Sequence, residues 1–422
     1  MRCPWARRTG SRGAARAMDR DIVAANETLL GRVHGRTAML TKIMTTALTF
    51  AIVAGAPMRA SAEDYKWPNN IPPEAKQLME PLPLSPTGQV VPGFPNGTPA
   101  VSADGLKLSD EDIAKLKAGK HTAGLVMHTM DAGWPHLQVA GITNTLKDYG
   151  VEVIGATDAK FNVGQQISDL EQMIARKPDV IFSIPIDPKS ESEAYKKAAA
   201  AGIKLVFLDN VPVDMTPGKD YVSVVAADNE KNAFFAADEL AKAIGGKGDV
   251  GILTLVYDYY YSVAARKVGA LKAFAQYPDI KVVGVGTFTS PEKAYEVATS
   301  MLTANPNLKG LFVAWDTPAQ QAVAAAKTLG RDIIITTNDL AADSAVNVAR
   351  GEFLAVGAQQ PYDQGVAEAK VAALALLGKD APPYVSVPTL RVKKANLLSA
   401  LKLVTTEDPP ASLIKLCADK CF

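Results

Sequence analysis

The sequence predicts an α/β fold with two similar doubly wound lobes, each built on a parallel sheet. From Thr122 onward, short apolar runs alternate with longer helical patterns, as in consecutive βα units. Several of the apolar runs are unbroken in Val, Ile, Leu and Phe, which is typical of strands buried on both faces of a parallel sheet. The whole alternation then occurs a second time, which indicates two lobes with a cleft between them.

Ten strands are predicted in two series, with helices between them. The first series is Gly124–Met127, Glu152–Ala156, Val180–Ile184, Lys204–Leu208 and Tyr221–Val225. The second series is Val250–Leu255, Lys281–Val285, Gly310–Ala314, Ile333–Thr336 and Leu354–Gly357. The clearest helical patterns are Val163–Ala175, Glu191–Ala201, Glu230–Ile244 and Glu292–Ala304.

The two series also match each other in register. Pro178–Val180 lies 128 positions before Pro306–Leu308, and the pair Asp209 and Asn210 anticipates Asn338 and Asp339. One βαβα lobe therefore occurs twice. Because open α/β sheets bind ligands beyond the carboxyl ends of their strands, the cleft between the lobes is the predicted binding site.

Composition and charge exclude several classes of protein. The chain has 422 residues, is 48% hydrophobic and 21% charged, and can therefore fill sizeable cores. Residues 1–62 carry a net charge of +7, and the remaining residues carry −6. A mildly acidic body does not fit nucleic acid as a partner. Three cysteines cannot form a disulfide scaffold or a four-ligand zinc site.

The first 62 residues are predicted to be a signal peptide with an upstream extension. Lys42 precedes the apolar run Ile43–Ala56, which is too short to span a bilayer, and Ala60–Ala62 supplies an A-x-A end. Cleavage after Ala62 would deliver the chain to the periplasm. A buried core helix is the alternative interpretation of the run, and Met39 is an alternative start of the protein.

Two further segments flank the predicted lobes. Residues 63–120 form a Pro-rich arm, expected to be irregular, followed by a short helix that Ser109 caps. Residues 406–422 form a tail in which Cys417 and Cys421 have a spacing that permits a disulfide, although an incidental pair remains open.

Polar and aromatic side chains follow the predicted strands of both lobes. Carboxylates, amides and a guanidinium bind hydroxyl groups directionally, whereas aromatic faces cover the C–H face of a sugar ring. This combination predicts a site for a sugar or sugar alcohol. The candidate ligand-binding residues are His128, Asp131, Trp134, Asp209, Asn210, Arg266, Phe288, Trp315, Asp339 and Gln359.

Each candidate also has an ordinary structural explanation. An Asp after a strand is often a turn former or a helix cap, and a Trp is often core. His128 could be a satisfied interior histidine, and Tyr257–Tyr261 could be a rim or interface patch. The binding hypothesis depends on all of them falling at the same strand edge.

Motifs of the common enzyme and metal-site classes are absent from the sequence. It contains no G-x-S-x-G, H-E-x-x-H or Walker A pattern, and its four histidines form no metal-ligand pair. The Gly-rich run Gly245–Gly248 precedes a predicted strand and is better explained as a turn. No cofactor, no metal and no catalytic residue is therefore expected.

From about His121 to Leu397 the chain resembles type I periplasmic binding proteins of the ribose-binding family, which deliver sugars to ABC importers. The resemblance lies in Asp209 with its polar neighbour, Ala264–Arg266, Ala314–Asp316, Asn338–Asp339 and Ala358–Pro361. It implies that Asp209, Arg266, Asp339 and Gln359 bind sugar hydroxyls and that Trp134 stacks on the ring. The sequence departs from the family at Pro135, where a second aromatic is common, at Asn210, where ribose binders have Arg, and at Trp315, where they have Asn.

The resemblance also implies how the lobes are joined. The expected N-terminal lobe is 121–227 plus 360–388, and the C-terminal lobe is 228–359 plus 389–405. The chain would cross between them near Ala226, Gln360 and Pro388. A monomer of this kind would close on its ligand and dock on a membrane permease.

Three other functions are compatible with parts of the pattern. A lactose-repressor-type regulator shares the two-lobed core but needs an N-terminal helix-turn-helix, where this chain has the predicted signal peptide. A secreted α/β carbohydrate-active enzyme would turn over the bound sugar. A sugar sensor subunit would hand the ligand to a chemoreceptor or histidine kinase.

Overall fold

The computed structural model of the chain describes residues 73–78, 98–256, 260–418 and 420–422. The predicted signal peptide, its cleavage site and most of the Pro-rich arm lie outside these ranges. Residues Tyr257–Tyr259 of the predicted tyrosine cluster lie outside them as well. The compact body comprises two β-sheets covered by helices.

The first sheet has seven strands, all paired in parallel, in the order β1-β12-β6-β5-β4-β2-β3. Its strands are β1 (Val101–Ser102), β2 (Thr122–Met127), β3 (Glu152–Asp158), β4 (Val180–Ser183), β5 (Lys204–Leu208), β6 (Ser223–Ala227) and β12 (Tyr384–Val387).

The second sheet has six strands in the order β13-β11-β10-β9-β7-β8, and only the edge strand β13 is antiparallel to its neighbour. Its strands are β7 (Lys247–Leu255), β8 (Asp279–Phe288), β9 (Leu308–Val313), β10 (Ile334–Asn338), β11 (Ala355–Ala358) and β13 (Leu390–Lys393). We refer to the first sheet with its helices as the first lobe and to the second as the second lobe.

Helices connect the strands and cover both sheets. They are α1 (Pro73–Leu78), α2 (Asp110–Gly119), α3 (Gly133–Asp148), α4 (Val163–Ala175), α5 (Ser192–Ala200), α6 (Asn229–Ala243), α7 (Tyr261–Phe274), α8 (Ala294–Ala304), α9 (Asp316–Thr328), α10 (Ala342–Arg350), α11 (Pro361–Leu376), α12 (Leu397–Thr405) and α13 (Ala411–Cys417). Among the described helices, none has both the length and the apolar character that a membrane crossing requires.

The predicted fold class is confirmed. Each of the ten predicted strands overlaps an observed strand, and the central strands are buried on both faces, as their unbroken apolar sequence requires. The chain crosses between the lobes three times: after β6, after β11 and between β12 and β13. The exact lobe boundaries drawn from the sequence stay a prediction.

Helix α11 returns the chain to the first lobe by packing tightly against α3. A Cβ on Gly365 would lie 2.4 Å from the carbonyl oxygen of Gln138, and one on Gly141 would lie 2.2 Å from that of Tyr362. Only glycine allows the two helix backbones to approach this closely. The contact fixes α11, which begins two residues after Gln359, beside the strand ends of the first lobe.

The arm and the tail differ from a purely irregular chain. The arm was expected to be irregular, but it contains α1, which opens at Pro73, and β1, which extends the first sheet beyond β12. Proline suits the first helical position because that residue has no helical partner for its amide. In the tail, Cys417 and Cys421 form a disulfide, and the amide of Phe422 donates to the carbonyl of Ala395.

Candidate functional site

A cavity of about 460 Å³ lies between the two lobes, at the carboxyl ends of their strands. Eight of the ten predicted site residues line it. From the first lobe they are His128, Asp131, Trp134 and Asp209; from the second lobe they are Arg266, Trp315, Asp339 and Gln359. The duplicated topology therefore brings these strand-end residues together around one space.

The other two predicted residues do not line the cavity, which corrects the expectation that they contact a ligand directly. Asn210 is fully buried, and its side-chain oxygen accepts from the amide of Ser262 at 3.2 Å. Phe288 packs edge-on against Trp315, with ring centroids 5.2 Å apart. Both residues therefore contact side chains or backbone of the cavity-lining residues without lining the cavity themselves.

Asp209 and Asp339 occupy equivalent positions in the two lobes. Each follows a central strand, β5 or β10, and each has a left-handed backbone, with φ of 53° and 70°. Each amide donates to a carbonyl at 2.9 Å, that of Val225 for Asp209 and that of Gly357 for Asp339. Asp tolerates this conformation better than most residues, so a carboxylate is the natural side chain at such a strand exit.

Arg266 forms the central ion pair of the site. The guanidinium is buried and makes two parallel hydrogen bonds to Asp339, at 2.9 and 3.1 Å. It also donates to the carbonyl of Ala314 at 2.8 Å and to the side-chain oxygen of Asn229 at 2.8 Å. These hydrogen bonds hold the charged guanidinium of Arg266 in position before any ligand binds.

Gln359 completes this polar wall at the end of β11. Its amide nitrogen donates to Asp339 at 2.6 Å, while its amide oxygen is buried without a hydrogen-bond partner among the described residues. An unpaired buried acceptor beside a cavity is available to a donor such as a hydroxyl group.

Burial changes the ionisation of two further carboxyl groups. Asp209 and Asp316 are both nearly inaccessible to solvent. Desolvation raises the pKa of Asp209 to about 7, against the opposing effect of Arg266. Desolvation, with a smaller contribution from the Asp339 charge, raises the pKa of Asp316 to about 7.

Aromatic rings of the first lobe form the opposite wall. The His128 ring lies edge-on to Trp134, with centroids 5.9 Å apart, and edge-on to Phe161 at 5.0 Å. Burial lowers the pKa of His128 to about 3, so the imidazole is neutral. Its Nδ1 atom and the Nε1 atom of Trp134 are buried without a partner in the described part of the chain.

The lobes touch at one side of the cavity. Gly133 begins α3 in the first lobe, and Ala341 precedes α10 in the second. A Cβ on Gly133 would lie 2.8 Å from the Cβ of Ala341. The structure is therefore a closed arrangement in which this pair leaves no room for a larger side chain.

Comparison with known proteins identifies the family. The model of the periplasmic binding protein domain matches residues 123–380. The chain belongs to the periplasmic binding protein family. It is 27% identical to the ribose import binding protein of Bacillus subtilis, covering 63% of this chain and 85% of the relative. It is 30% identical to the D-allose-binding periplasmic protein of Escherichia coli, covering 55% and 76%.

A solved structure of the same family has the same fold. It is an ABC transporter periplasmic solute-binding protein from Actinobacillus succinogenes with bound D-allose. It is 30% identical to this chain, with a TM-score of 0.59, and the match covers 67% of this chain and 99% of the relative. These relatives are binding proteins for sugar transport rather than enzymes, and this periplasmic binding protein shares their ribose-binding-like character.

The residues that line the cavity of this periplasmic binding protein but were not predicted from the sequence include Phe161, Tyr260 and Asp316. Phe161 follows β3, whose exit was not among those predicted to contribute to the site, and it has a left-handed backbone together with Lys160. Tyr260 belongs to the Tyr257–Tyr261 cluster, for which a rim or interface patch is one interpretation of the sequence. Asp316 was recognised as a strand-end residue but was not selected. In the described ranges, no group of three His, Cys, Asp or Glu side chains could hold a metal ion.

Proposed function

We propose that the protein captures a sugar or sugar alcohol in the cavity between its lobes and delivers it to an ABC import permease. One observation carries the proposal. Hydrogen-bonding side chains at the strand ends of both lobes, such as Asp209, Arg266 and Gln359, line the same cavity. The indole rings of Trp134 and Trp315 line it as well. A ligand that contacts both lobes stabilises the closed form, because only the closed form offers both sets of contacts at once.

The cavity matches a small ring or chain in size and chemistry. Its volume of about 460 Å³ suits a monosaccharide-sized molecule. Asp209, Arg266, Asp339 and Gln359 would bind hydroxyl groups, while Trp134 and Trp315 would cover the carbon skeleton. His128 and Asp131 would contact the ligand from the loop after β2.

Delivery of the ligand to a permease requires that the protein is exported and that its closed form can dock on the permease. The relatives are periplasmic import proteins, and we propose that the signal peptide is cleaved after Ala62 and that the mature monomer docks on the permease in its closed form. N-terminal sequencing of the exported protein should begin at Glu63. Neither a sensor role nor carbohydrate turnover has an observation of its own in its favour.

Isothermal titration of the mature protein tests the binding function. The panel consists of pentoses, hexoses, sugar alcohols and their aminated derivatives. At least one should bind with a micromolar or lower Kd, which corresponds to about −8 kcal/mol, and small-angle scattering should show compaction on binding. Failure of the whole panel would contradict the proposal.

Two glutamine variants distinguish the loss of a cavity residue from the loss of a surface glutamine. Gln359→Ala should weaken binding by about 1–3 kcal/mol, because the partly buried Asp339 loses a donor and the ligand loses an acceptor. Gln172→Ala removes an exposed glutamine outside the cavity and should leave the affinity unchanged.

A further inference from the structure

The cavity contains more negative than positive charge. Five carboxylates and two cationic side chains line it: Asp131, Asp209, Glu292, Asp316 and Asp339 against Lys160 and Arg266. Lys160, Asp131 and Glu292 are exposed at the mouth, where water and salt screen them. The charge balance inside the cavity therefore depends on Arg266, on the buried carboxylates of Asp209 and Asp316, and on the partly buried carboxylate of Asp339.

Arg266 matches only one of these three groups. Its guanidinium holds both oxygens of Asp339, and its remaining bonds go to neutral acceptors on Ala314 and Asn229. His128, the other nitrogen base of the cavity, is neutral.

Asp209 and Asp316 have no cation of their own. Asp209 is 3% exposed and accepts from neutral donors, the Gln364 side chain at 3.2 Å and the Ala227 amide. Asp316 is 9% exposed and accepts from the hydroxyls of Thr317, at 3.4 Å, and Ser344. Neither forms an ion pair with a Lys, Arg or His in the ranges that the structure covers. Burying a carboxylate without a cation is energetically costly, so a positive charge placed beside Asp209 and Asp316 would stabilise their ionised forms.

Aromatic rings surround the same space. Trp134, Phe161 and Trp315 line the cavity together with the two unmatched carboxylates. The faces of such rings attract a desolvated cation. The cavity thus presents the two features that a buried ammonium group requires, an anionic partner and an aromatic enclosure.

We propose, on the basis of the sugar- or polyol-binding function proposed above, that the ligand is a polyhydroxylated amine, an amino sugar or aminated polyol. Its ammonium group compensates the unmatched charge of Asp209 and Asp316, and its hydroxyl groups bind Arg266 and Gln359. A neutral hydroxyl can donate to a carboxylate but leaves the charge unmatched, whereas an ammonium supplies three donors and the charge together.

Proton release gives a second, independent signature. At neutral pH each of the two carboxyl groups is partly protonated, since burial raises the pKa of each to about 7. A bound ammonium favours the ionised forms and lowers both pKa values. Binding of an amine should therefore release protons, and binding of a neutral analogue should not.

The experiment is isothermal titration of the mature protein with matched ligand pairs near neutral pH. The pairs are glucosamine with glucose, galactosamine with galactose, and 1-amino-1-deoxysorbitol with sorbitol. N-acetylglucosamine is a further control that keeps the nitrogen but replaces the ammonium by a bulkier, neutral amide. In at least one pair the amine should bind at least tenfold more tightly than its neutral partner. The enthalpy should vary with the ionisation enthalpy of the buffer, as proton release requires.

Two variants and a control assign the preference to the carboxylates. Asp316→Asn and Asp209→Asn should each reduce the ratio of amine to neutral affinity by about tenfold. Glu193→Gln, which removes a carboxylate whose side chain is 81% exposed, should keep the ratio. Two variants are used so that a folding defect in one does not decide the test.

The outcomes separate this inference from the binding function. If the neutral member binds as tightly as its amine in every pair that binds, or if the ratio survives both Asp variants, the inference is overturned and the sugar-binding function stands. If no member of any pair binds, this inference is overturned, and the binding function is contradicted only if the full panel of pentoses, hexoses, sugar alcohols and aminated derivatives also fails.

Discussion

The two lobes offer the same backbone positions to the ligand but give them different electrostatic roles. Asp209 and Asp339 share a left-handed conformation and the same amide contact to the next strand. Asp339 forms a direct ion pair with Arg266, whereas the hydrogen bonds that Asp209 accepts come from neutral amides. The repeated scaffold therefore determines where the carboxylates lie, and the surrounding side chains determine their charge.

The cavity walls that the two lobes supply differ in a similar way. The second lobe supplies the ion pair of Arg266 and Asp339, which is complete without a ligand. The first lobe supplies His128 and Trp134, each of which carries a buried ring nitrogen without a partner in the part of the chain that is described. We infer that the ion pair of the second lobe orients the ligand through preformed charge, whereas the ring nitrogens of the first lobe, like the Gln359 oxygen, gain their partners from the ligand.

Removal of the guanidinium should have the largest effect on the free energy of unfolding. Arg266→Met leaves the partly buried Asp339 without its cation and should destabilise the protein by up to about 3–5 kcal/mol in urea unfolding. Lys293→Met breaks an exposed ion pair with Glu296, so it should cost no more than about 1 kcal/mol. Replacement of both partners by apolar residues, Arg266→Met with Asp339→Leu, should recover part of the loss. Equal effects of the two single variants would contradict the distinction between a preformed pair and a surface pair.

Titration of Asp209 should produce the next largest effect. Its pKa is raised to about 7, so between about pH 4 and pH 7 the folded protein holds a proton that the unfolded chain releases. The stability contributed by this group is present below that window and is lost as the pH rises through it. Asp209→Asn removes the titration, and the variant should therefore gain about 1–3 kcal/mol relative to wild type between about pH 5 and pH 7.5. Urea unfolding at the two pH values measures the change.

His128 provides a control of opposite sign for that experiment. Its pKa is lowered to about 3, so below about pH 6.5 the unfolded chain binds a proton that the folded protein excludes. Wild type therefore loses stability as the pH falls, and His128→Gln should gain relative to wild type on going from about pH 7.5 to pH 5. A common direction for Asp209→Asn and His128→Gln would contradict the assignment of either group.

The sequence predicted the strands and their common edge because both depend on local pattern. Unbroken apolar runs are sufficient to place buried strands such as β5, whose predicted bounds Lys204–Leu208 match the structure. Two short strands at one side of the first sheet lack this signal. β1 has two residues, and β12 lies in four residues between Pro383 and Pro388, so neither stands out from its surroundings.

Side-chain direction at the strand exits could not be predicted in the same way. A left-handed residue such as Asp209 turns the chain sharply, so its neighbour Asn210 faces the interior instead of the cavity. The exit of β3 has two consecutive left-handed residues, and this turn places Phe161 on the cavity wall although its sequence gives no such indication. Strand-end location predicts the site, but the backbone conformation of the exit decides which side chain reaches it.

Closure of the lobes can be tested at the contact between Gly133 and Ala341. Gly133→Ala places a Cβ 2.8 Å from that of Ala341, and the lobes must separate to relieve the contact. Ligand affinity should fall about tenfold, or ~1.4 kcal/mol, while the stability of the open, unliganded protein changes by less. Isothermal titration gives the first quantity and urea unfolding the second.

Gly284→Ala is the matched control for the closure contact. Its new Cβ would lie 3.8 Å from Met301 Cε, an ordinary contact within the second lobe, so affinity should be retained. Undiminished affinity in Gly133→Ala would show that the lobes can bind the ligand without approaching as closely as they do here.

The smallest effect is expected for a substitution of Trp134 in the first lobe. Trp134→Phe keeps an aromatic face but removes the indole N–H, which is buried without a partner within the described ranges. Because no protein hydrogen bond is lost, stability should change by less than about 1 kcal/mol. Affinity for a ligand that accepts this hydrogen bond should fall about threefold to tenfold, corresponding to the ~0.5–1.5 kcal/mol of one neutral bond. A larger loss of stability than of affinity would show that Trp134 serves the core of the lobe, and the contrast between a preformed wall and a ligand-completed wall would then fail.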